Sequence, residues 1–282
     1  MDELLQIERT EINVGLNKEY RFFQITDTHM AYVDNDSSQL DLDDNARCHK
    51  QWDTLKREFA SEAGEHCDER YDVEADVLFK RLADHAVSFG ADALILSGDI
   101  MDRVTDSNVR YLRQFIDSYP IPVVYCPGNH CWINEQGEHA NFYDRLKPII
   151  PNAEIDFYDF GELTVATVDD GKKIITDNQI SALKEKIKEG KKILLVLHAP
   201  INLGEFGREY VNKMSPYFFL GAHGDCDNAF EFVRLIEEND DSFIAVLAGH
   251  IHRFAQGALT DKLMQYTTSS GLIGAGREII IK

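Results

Sequence analysis

The stretch FFQITDTH at residues 22–29 joins an apolar run directly to polar residues, and this arrangement decides the fold. Four later stretches repeat it: LILSGD (94–99), VVYCPGNH (123–130), ILLVLH (193–198) and IAVLAGHIH (244–252). Short apolar runs bounded by turn-forming residues are typical of buried strands. Because ligands bind outside the carboxyl ends of strands in α/β sheets, the five polar ends are predicted to meet at one edge.

These strand ends would form one cluster of two carboxylates, one amide and five imidazoles: Asp27, His29, Asp99, Asn129, His130, His198, His250 and His252. Nitrogen and oxygen donors without a thiolate suit Mn, Fe or Zn, whereas Ca and Mg prefer oxygen shells. At strand spacing the Asp27/His29 and His250/His252 pairs can each converge, because residues i and i+2 point the same way. The donors are too many for one tetrahedral ion, and two ions bridged by a carboxylate would use them. A single histidine is more often a core or surface residue, so the ordered set of five motifs carries the prediction.

Helix-like segments alternate with the strands. The predicted strands are 21–26, 93–97, 123–126, 163–168, 193–197, 243–248, 255–259, 263–267 and 278–282. Apolar residues recur close to a 3.6-residue period in four predicted helices, 74–89, 106–119, 177–189 and 227–238. Asp177 is the predicted N-cap of the third of these helices. The alternation predicts an α/β protein whose strands are largely covered by helices.

The chain is strongly acidic, with 29 Lys and Arg against 49 Asp and Glu in 282 residues, a net charge of −20. Nucleic acid and anionic membranes attract basic surfaces, so this charge disfavours both as partners. The longest apolar runs are far shorter than the roughly 18 residues of a membrane helix, and MDELLQ at residues 1–6 lacks the features of a secretory signal. Five irregularly spaced cysteines without a C-x-x-C pair favour a reducing, cytoplasmic environment.

Nearly half of the excess negative charge lies in residues 30–76, which hold 14 acidic and 5 basic residues, a net of −9. This acidic insertion falls between the first predicted strand and the first long predicted helix. One interpretation is a solvated insertion with a helix around 51–63. The other is a lid or specificity element, because long segments of this kind are often functional and this one follows the first motif directly.

The ordered set D-x-H, G-D, G-N-H, H and G-H-x-H, from Asp27 to His252, resembles the pattern of the calcineurin-like metallophosphoesterase superfamily. The resemblance implies a four-layer αββα sandwich, in which two mixed sheets are flanked by helices. It also implies one domain over residues 1–282, interrupted by the insertion at about 30–76. Two divalent or trivalent transition-metal ions would lie at the carboxyl ends of the strands.

The resemblance also implies a role for each residue of the cluster. The first ion would be held by Asp27, His29 and His252. The second ion would be held by Asn129, His198 and His250. Asp99 would bridge the two ions. His130 would not be a ligand; it would lie beside the substrate phosphate as a general acid or as a stabiliser of the transition state.

The chain departs from the superfamily pattern at one position. Many phosphodiesterase and nuclease members carry an acidic residue after Gly-Asn-His, where this chain has Cys131. That residue often supports the histidine, so the partner of His130 is an open question at this stage. Arg103 and Arg253 could contact phosphate, although a surface ion pair is the favoured interpretation of each. Cys131 is not expected to act as a nucleophile.

The sequence thus predicts a metal-dependent hydrolase of small phosphomonoesters or phosphodiesters, with a cyclic nucleotide among the candidate substrates. Hydroxide formed at the two ions would attack phosphorus directly, and His130 would protonate the leaving alkoxide or stabilise its charge. A nuclease of the same superfamily is one alternative, which the net charge disfavours. A catalytically silent metal-binding or scaffold protein is another, for which His130 would be unnecessary. The oligomeric state is left open.

Overall fold

Two mixed β-sheets pack face to face, and helices cover their outer surfaces. The structure is a computed structural model and describes residues 3–62, 72–222 and 224–282. This arrangement confirms the predicted αββα fold. No helix within those ranges is long and apolar enough to cross a membrane.

The first sheet contains five strands: β1 (Gln6–Ile12), β2 (Tyr20–Ile25), β3 (Ala93–Ser97), β4 (Val123–Cys126) and β11 (Ala275–Ile281). The second contains six: β5 (Ile155–Asp159), β6 (Leu163–Val168), β7 (Lys192–Val196), β8 (Phe243–Ala248), β9 (Ala255–Ala258) and β10 (Met264–Thr267). Their orders are β1-β11-β2-β3-β4 and β5-β6-β7-β8-β10-β9. Strands β2, β3 and β4 are parallel, as are β6, β7, β8 and β10, so the carboxyl ends in each set meet at one edge.

Seven helices occur among the described residues: α1 (Gln39–Glu62), α2 (Ala75–Phe89), α3 (Asp106–Ser118), α4 (Tyr143–Leu146), α5 (Asp177–Lys188), α6 (Gly204–Tyr210) and α7 (Asp227–Glu238). The core between α2, α3 and the first sheet includes Phe79, Leu82 and Leu112. The core between α5, α7 and the second sheet includes Leu183 and Phe232. These side chains are fully buried, so each helical layer rests on an apolar face.

The layer between the sheets is built from alternate residues of the central strands. Phe22, Ile95 and Val124 of the first sheet pack in one cluster with Val165 and Val196 of the second. All five are fully buried. Because successive strand residues point to opposite faces, the intervening residues face the helices, and central strands are apolar on both sides.

Most predicted strands are confirmed, four of them (93–97, 123–126, 163–168 and 243–248) with identical bounds. Strands β1 and β5 were not predicted from the sequence. Each is one of the two edge strands of its sheet and is partly exposed, so each carries polar residues that obscure the apolar signal. Strand β11 begins at Ala275, before the predicted start at 278.

One interpretation of residues 30–76 predicted a solvated insertion with a helix around 51–63. The position of that helix and its full exposure to solvent are both wrong. Helix α1 begins at Gln39 rather than at 51, and one face of it is buried. That face consists of residues spaced three or four apart: Asp41, Asp44, Cys48, Trp52 and Lys56. Three of the five, Asp41, Asp44 and Lys56, have charged side chains, so apolar periodicity could not reveal the face. Residues 63–71 of the insertion, including the predicted helix end, lie outside the described residues.

The predicted N-cap of α5 is also one residue late. Thr176 caps this helix: its hydroxyl accepts a hydrogen bond from the Gln179 backbone N–H at 3.2 Å. The Gln179 side chain accepts one in return from the Thr176 backbone N–H at 2.7 Å. This reciprocal capping box satisfies two backbone N–H donors, those of Gln179 and Thr176. A cap by Asp177 would not provide these two hydrogen bonds.

Candidate metal centre

A first donor group consists of Asp27 and His29, which follow β2, and His252, which follows β8. Their ligand atoms all lie within 4.8 Å of one another. His252 Nε2 is 3.1 Å from Asp27 Oδ1 and 3.2 Å from His29 Nε2. The two carboxyl ends come together because the His250 backbone N–H donates to Asp27 Oδ2 at 2.9 Å.

A second donor group lies beside it and consists of Asp99, Asn129, His198 and His250. His198 Nε2 is at its centre, 3.0 Å from Asp99 Oδ2, 3.1 Å from Asn129 Oδ1 and 3.2 Å from His250 Nδ1. These side chains come from the ends of β3, β4, β7 and β8. The structure therefore brings all seven predicted ligands into two adjacent groups.

The two donor groups are joined through their carboxylates. Asp27 Oδ1 lies 3.8 Å from His29 Nε2 and 3.9 Å from His198 Nε2, so it is close to both groups. Asp99 lies within the second group and accepts the His130 backbone N–H at 2.8 Å. The bridging role of Asp99 stays a prediction, and Asp27 Oδ1 lies within 4 Å of a ring nitrogen in each group.

The backbone at these positions is held in an unfavourable conformation. Positive φ angles occur at Asp27 (53°), His29 (46°), Asp99 (51°), His250 (67°) and His252 (51°). Residues with a Cβ rarely adopt this region, and such strain persists where the surrounding structure imposes it. The strand-spacing argument for the Asp27/His29 and His250/His252 pairs is therefore wrong, because none of the four lies in extended backbone. Asp27 and His29 still meet in one donor group, whereas His250 and His252 lie in different groups.

Two glycines of the motifs allow the loops to approach the carboxylates. A Cβ at Gly128 would overlap the carboxylate of Asp99, and a Cβ at Gly249 would lie 2.5 Å from Asp27 Oδ2. Neither glycine has a positive φ. Their role is therefore close approach rather than turn geometry.

His130 stands at the rim of the second donor group, with its side chain 21% exposed. Its Nδ1 is 2.7 Å from the Asp102 carbonyl oxygen and 3.4 Å from Asp102 Oδ1. Its Nε2 is 3.9 Å from Asp99 Oδ2. Asp102 therefore supports the His130 ring, a role that the residue after Gly-Asn-His does not fill in this chain.

Asp102 is a site residue that the sequence analysis did not single out. Its carboxylate lies 3.5 Å from His29 Nδ1 and accepts the Trp52 indole N–H at 2.6 Å. It also pairs with Arg47. The signal was present in the sequence: Asp102 follows Asp99 by three residues, in the same loop. Buried carboxylates behind metal-binding histidines commonly orient the ring and fix its tautomer.

Helix α1 forms one wall of the centre. The Trp52 ring stacks on the His29 ring with centroids 4.0 Å apart and planes at 27°. Arg47 pairs with Asp44 at 2.8 Å, and Arg103 pairs with the same carboxylate at 3.1 Å. Arg103 is thus part of a structural ion pair, whereas Arg253 lines the cavity beside His130.

Cys131 does not face the donor groups. It is fully buried among core residues, and its Sγ is 3.6 Å from the Tyr125 hydroxyl. Burial, together with the nearby Asp99 charge, raises the pKa of the Cys131 thiol to about 12. A neutral buried thiol is inert, so this position contributes packing.

Four of the donors, Asp27, Asp99, His29 and His250, have pKa shifts that suit cation binding. Burial alone would raise the pKa of the Asp27 and Asp99 carboxyls, but the neighbouring histidines outweigh it and lower both. Burial lowers the pKa of His29, and burial together with the neighbouring His198 lowers that of His250 to about 3. Anionic carboxylates and neutral imidazoles are the forms that bind metals. His198 is the exception: burial alone would lower its pKa, but the Asp99 and Asp27 carboxylates outweigh burial and raise it to about 10, so this ring must release a proton when a cation binds.

The donor set fits a pair of transition-metal ions. The His29 and His252 Nε2 atoms face each other at 3.2 Å, and two neutral ring nitrogens in this position share at most one proton. His29 Nδ1 is buried without a hydrogen-bond partner. A cation between the facing Nε2 atoms and the Asp27 carboxylate would satisfy those three groups, whereas His29 Nδ1 lies on the other side of the ring, 3.5 Å from the Asp102 carboxylate. The mixed nitrogen and oxygen set matches Mn, Fe or Zn.

Comparison with known proteins places the chain in a family. The sequence profile of the calcineurin-like phosphoesterase family matches residues 20–254, which include every residue of both donor groups. The chain belongs to this family. A dimetal phosphatase from Danio rerio superimposes with a TM-score of 0.58 at 12% identity, covering 92% of this chain and 91% of that one. That likeness shows a shared fold.

Two curated proteins are similar to this phosphoesterase-family chain in sequence. A probable cyclic nucleotide phosphodiesterase of Coxiella burnetii is 26% identical over 170 residues, or 57% of this chain and 60% of that protein. Glycerophosphodiester phosphodiesterase GpdQ of Enterobacter lignolyticus is 25% identical over 175 residues, or 57% of this chain and 56% of that protein. The matches thus span somewhat more than half the length of these relatives.

Proposed function

We propose that this chain is a phosphoesterase that hydrolyses small phosphate monoesters or diesters with two bound transition-metal ions. The convergence of the two donor groups, with His130 at their rim, is the observation that carries the proposal. Membership of the calcineurin-like phosphoesterase family supports it. The names of the two curated relatives support a diester, a cyclic nucleotide among them, as one candidate substrate.

The proposed ligands divide by donor group. The first ion would be held by Asp27, His29 and His252. The second would be held by Asn129, His198 and His250. Asp99 is proposed to bridge the ions. When bound, the ions would lower the pKa of water and neutralise the phosphoryl oxygens.

His130 is proposed as the catalytic residue that serves the leaving group. Asp102 holds Nδ1 of its ring, which leaves Nε2 available on the exposed side of the cleft. Water supplies the oxygen of the new P–O bond, the ester P–O bond breaks, and the leaving alkoxide takes up a proton. His130 can deliver that proton or, as an imidazolium, stabilise the developing charge.

Charge favours a small substrate over a polymer. The chain carries a net charge of −20, which repels nucleic acid and makes a nuclease the weaker candidate. Locally, two divalent ions would outweigh the charges of Asp27 and Asp99, so one phosphate group can bind. A catalytically silent metal-binding or scaffold protein is a second alternative; the placement of His130 against Asp102 favours an enzyme over it.

The metal and the compartment belong to the proposal as well. Mn, Fe or Zn is proposed because the donors mix nitrogen and oxygen without thiolate. A cytoplasmic location is proposed from the irregular cysteine spacing. Cys48, Cys126, Cys131 and Cys226 are free thiols, and Cys67 lies outside the described residues.

A screen with p-nitrophenyl phosphate and bis-p-nitrophenyl phosphate, with added Mn²⁺, Fe²⁺ or Zn²⁺, tests the proposal. We expect turnover of at least one ester, abolished by chelation and largely lost in Asp99→Asn. Asp144→Asn is the matched control, because its carboxylate is 92% exposed and outside the site. Absence of both turnover and bound metal would support the silent alternative and refute the proposal.

A further inference from the structure

Two adjacent aromatic side chains stand exposed at the mouth of the metal centre. Tyr217 is 76% exposed and Phe218 is 39% exposed. Phe230 on α7 is also 39% exposed. Adjacent exposed aromatic rings are uncommon on protein surfaces and frequently mark binding sites.

The turn that carries these rings is firmly attached to the core. Tyr217 and Phe218 lie in the short 3₁₀ turn Pro216–Phe218, directly before the fully buried Phe219 and Leu220. The Leu220 backbone N–H donates to the Pro200 carbonyl at 2.9 Å. Lys173 Nζ donates to the Pro216 carbonyl at 3.4 Å and pairs with Asp225 at 2.7 Å. The two rings are therefore held outward by a fixed backbone.

The rings line the cleft that leads to the donor groups. Tyr217 and Phe218 border a cavity of about 460 Å³ that reaches Asn129, His198 and His250. Phe218 also borders the adjoining cavity of about 320 Å³, which holds His130 and Trp52, among others. The Phe218 ring meets the His250 ring edge to face, with centroids 5.3 Å apart. Cavities of this size accommodate small organic ligands.

We propose that Tyr217 and Phe218 form a stacking platform for the alcohol part of the substrate, which carries a planar aromatic ring, as a nucleoside does. The proposal rests on the proposed function and specifies its substrate class. A phosphate held at the donor groups would place its ester substituent in the cleft beside Phe218. An aromatic base stacked there gains the offset-stacked contact that aromatic pairs favour, which a sugar without a base lacks.

The size of the effect follows from stacking. A base stacked on an aromatic side chain strengthens binding by roughly 5- to 150-fold, judged by alanine substitution. We therefore expect the protein to prefer a nucleotide to the matching sugar phosphate by at least about fivefold in kcat/KM. Tyr217→Ala and Phe218→Leu should each remove most of this preference, and Tyr217→Phe should retain it.

The test compares substrates that differ only in the base: AMP against ribose 5-phosphate, or the methyl esters of both if the protein hydrolyses diesters. Phe230→Leu is the matched control for Phe218→Leu, because both rings are 39% exposed and Phe230 lies on α7 outside the cleft. A preference that falls by at least about fivefold in the Tyr217 and Phe218 variants, but not in the control, supports the platform. Equal kcat/KM for the two substrates, or a preference that survives Tyr217→Ala, would overturn it.

A binding measurement separates this inference from the proposed function. The Kd values of adenosine and of ribose for the metal-loaded protein can be measured by calorimetry without any turnover. Tighter binding of adenosine, lost in Tyr217→Ala, in a protein that hydrolyses no ester would refute the proposed function and support the platform. If the protein hydrolyses esters but binds adenosine and ribose with equal Kd values, the proposed function is supported and the platform is refuted.

Discussion

Replacing Asp102 by Asn tests how the centre is organised behind its candidate ligands. The change preserves size and leaves an oxygen that can accept the Trp52 indole N–H. It removes the negative charge that lies 3.5 Å from His29 Nδ1 and 3.4 Å from His130 Nδ1. Arg47 keeps its pairing with Asp44 at 2.8 Å, a carboxylate that it shares with Arg103 at 3.1 Å. The fold should therefore tolerate the change while both histidines lose their orienting charge.

The expected loss can be worked from these contacts. A hydrogen bond to a charged group contributes about 1.5–3 kcal/mol, and each 1.36 kcal/mol is a factor of ten. Loss of one such interaction at the site predicts a decrease of roughly 10- to 100-fold. The same range applies to loss of the outer partner of a metal-binding histidine. Because His29 is a candidate ligand of the first ion and His130 is proposed to serve the leaving group, metal affinity and turnover should both decline.

The assay measures kcat/KM for the best ester in the screen and the Kd for Mn²⁺, in parallel for Asp102→Asn and for the exposed control Asp144→Asn. Thermal unfolding of each variant checks that the fold is intact. We expect both activity and metal affinity to decrease in Asp102→Asn while Tm changes little. A variant within twofold of the unmodified protein in both measurements would refute the positioning role of Asp102.

Three further predictions concern the same centre. His130→Asn should lower kcat by about 10²- to 10⁴-fold, while metal analysis still finds two ions per chain; loss of the ions would instead make His130 a ligand. Gly128→Ala should abolish activity because the new Cβ overlaps the Asp99 carboxylate, and unchanged kinetics would contradict that packing. Chelation should lower Tm by about 5 °C, since ions that bind only the folded state stabilise it; an unchanged Tm in a calorimetric scan would argue against tightly bound ions.

The polar ends of the central strands were predictable because sheet geometry fixes where they go. Residues that follow parallel strands meet at one edge whatever the loops do, and the candidate ligands from Asp27 to His252 are therefore found together. The edge strands β1 and β5 were not predicted because they lack a continuous apolar run. Both are partly exposed to solvent and carry polar residues.

The support behind the ligands could not be predicted in the same way. The buried face of α1 includes Asp44 and Lys56, whose burial depends on partners distant in sequence such as Arg103 and the Val73 carbonyl. Apolar periodicity detects only faces that are buried by the hydrophobic effect. Asp102 likewise becomes significant only when the fold brings His29 and His130 to either side of it.

Counting the metal ions tests the central claim most directly. Mn²⁺ titrated into the chelator-treated protein should saturate at two ions per chain, with an electron paramagnetic resonance signal of two coupled Mn²⁺ ions, and ester hydrolysis should rise with occupancy. Asp99→Asn should lose the coupled signal and the activity together, whereas Asp144→Asn should keep both. Saturation at one ion or none, or full hydrolysis by the metal-free protein, would contradict the account of two adjacent donor groups acting as one centre.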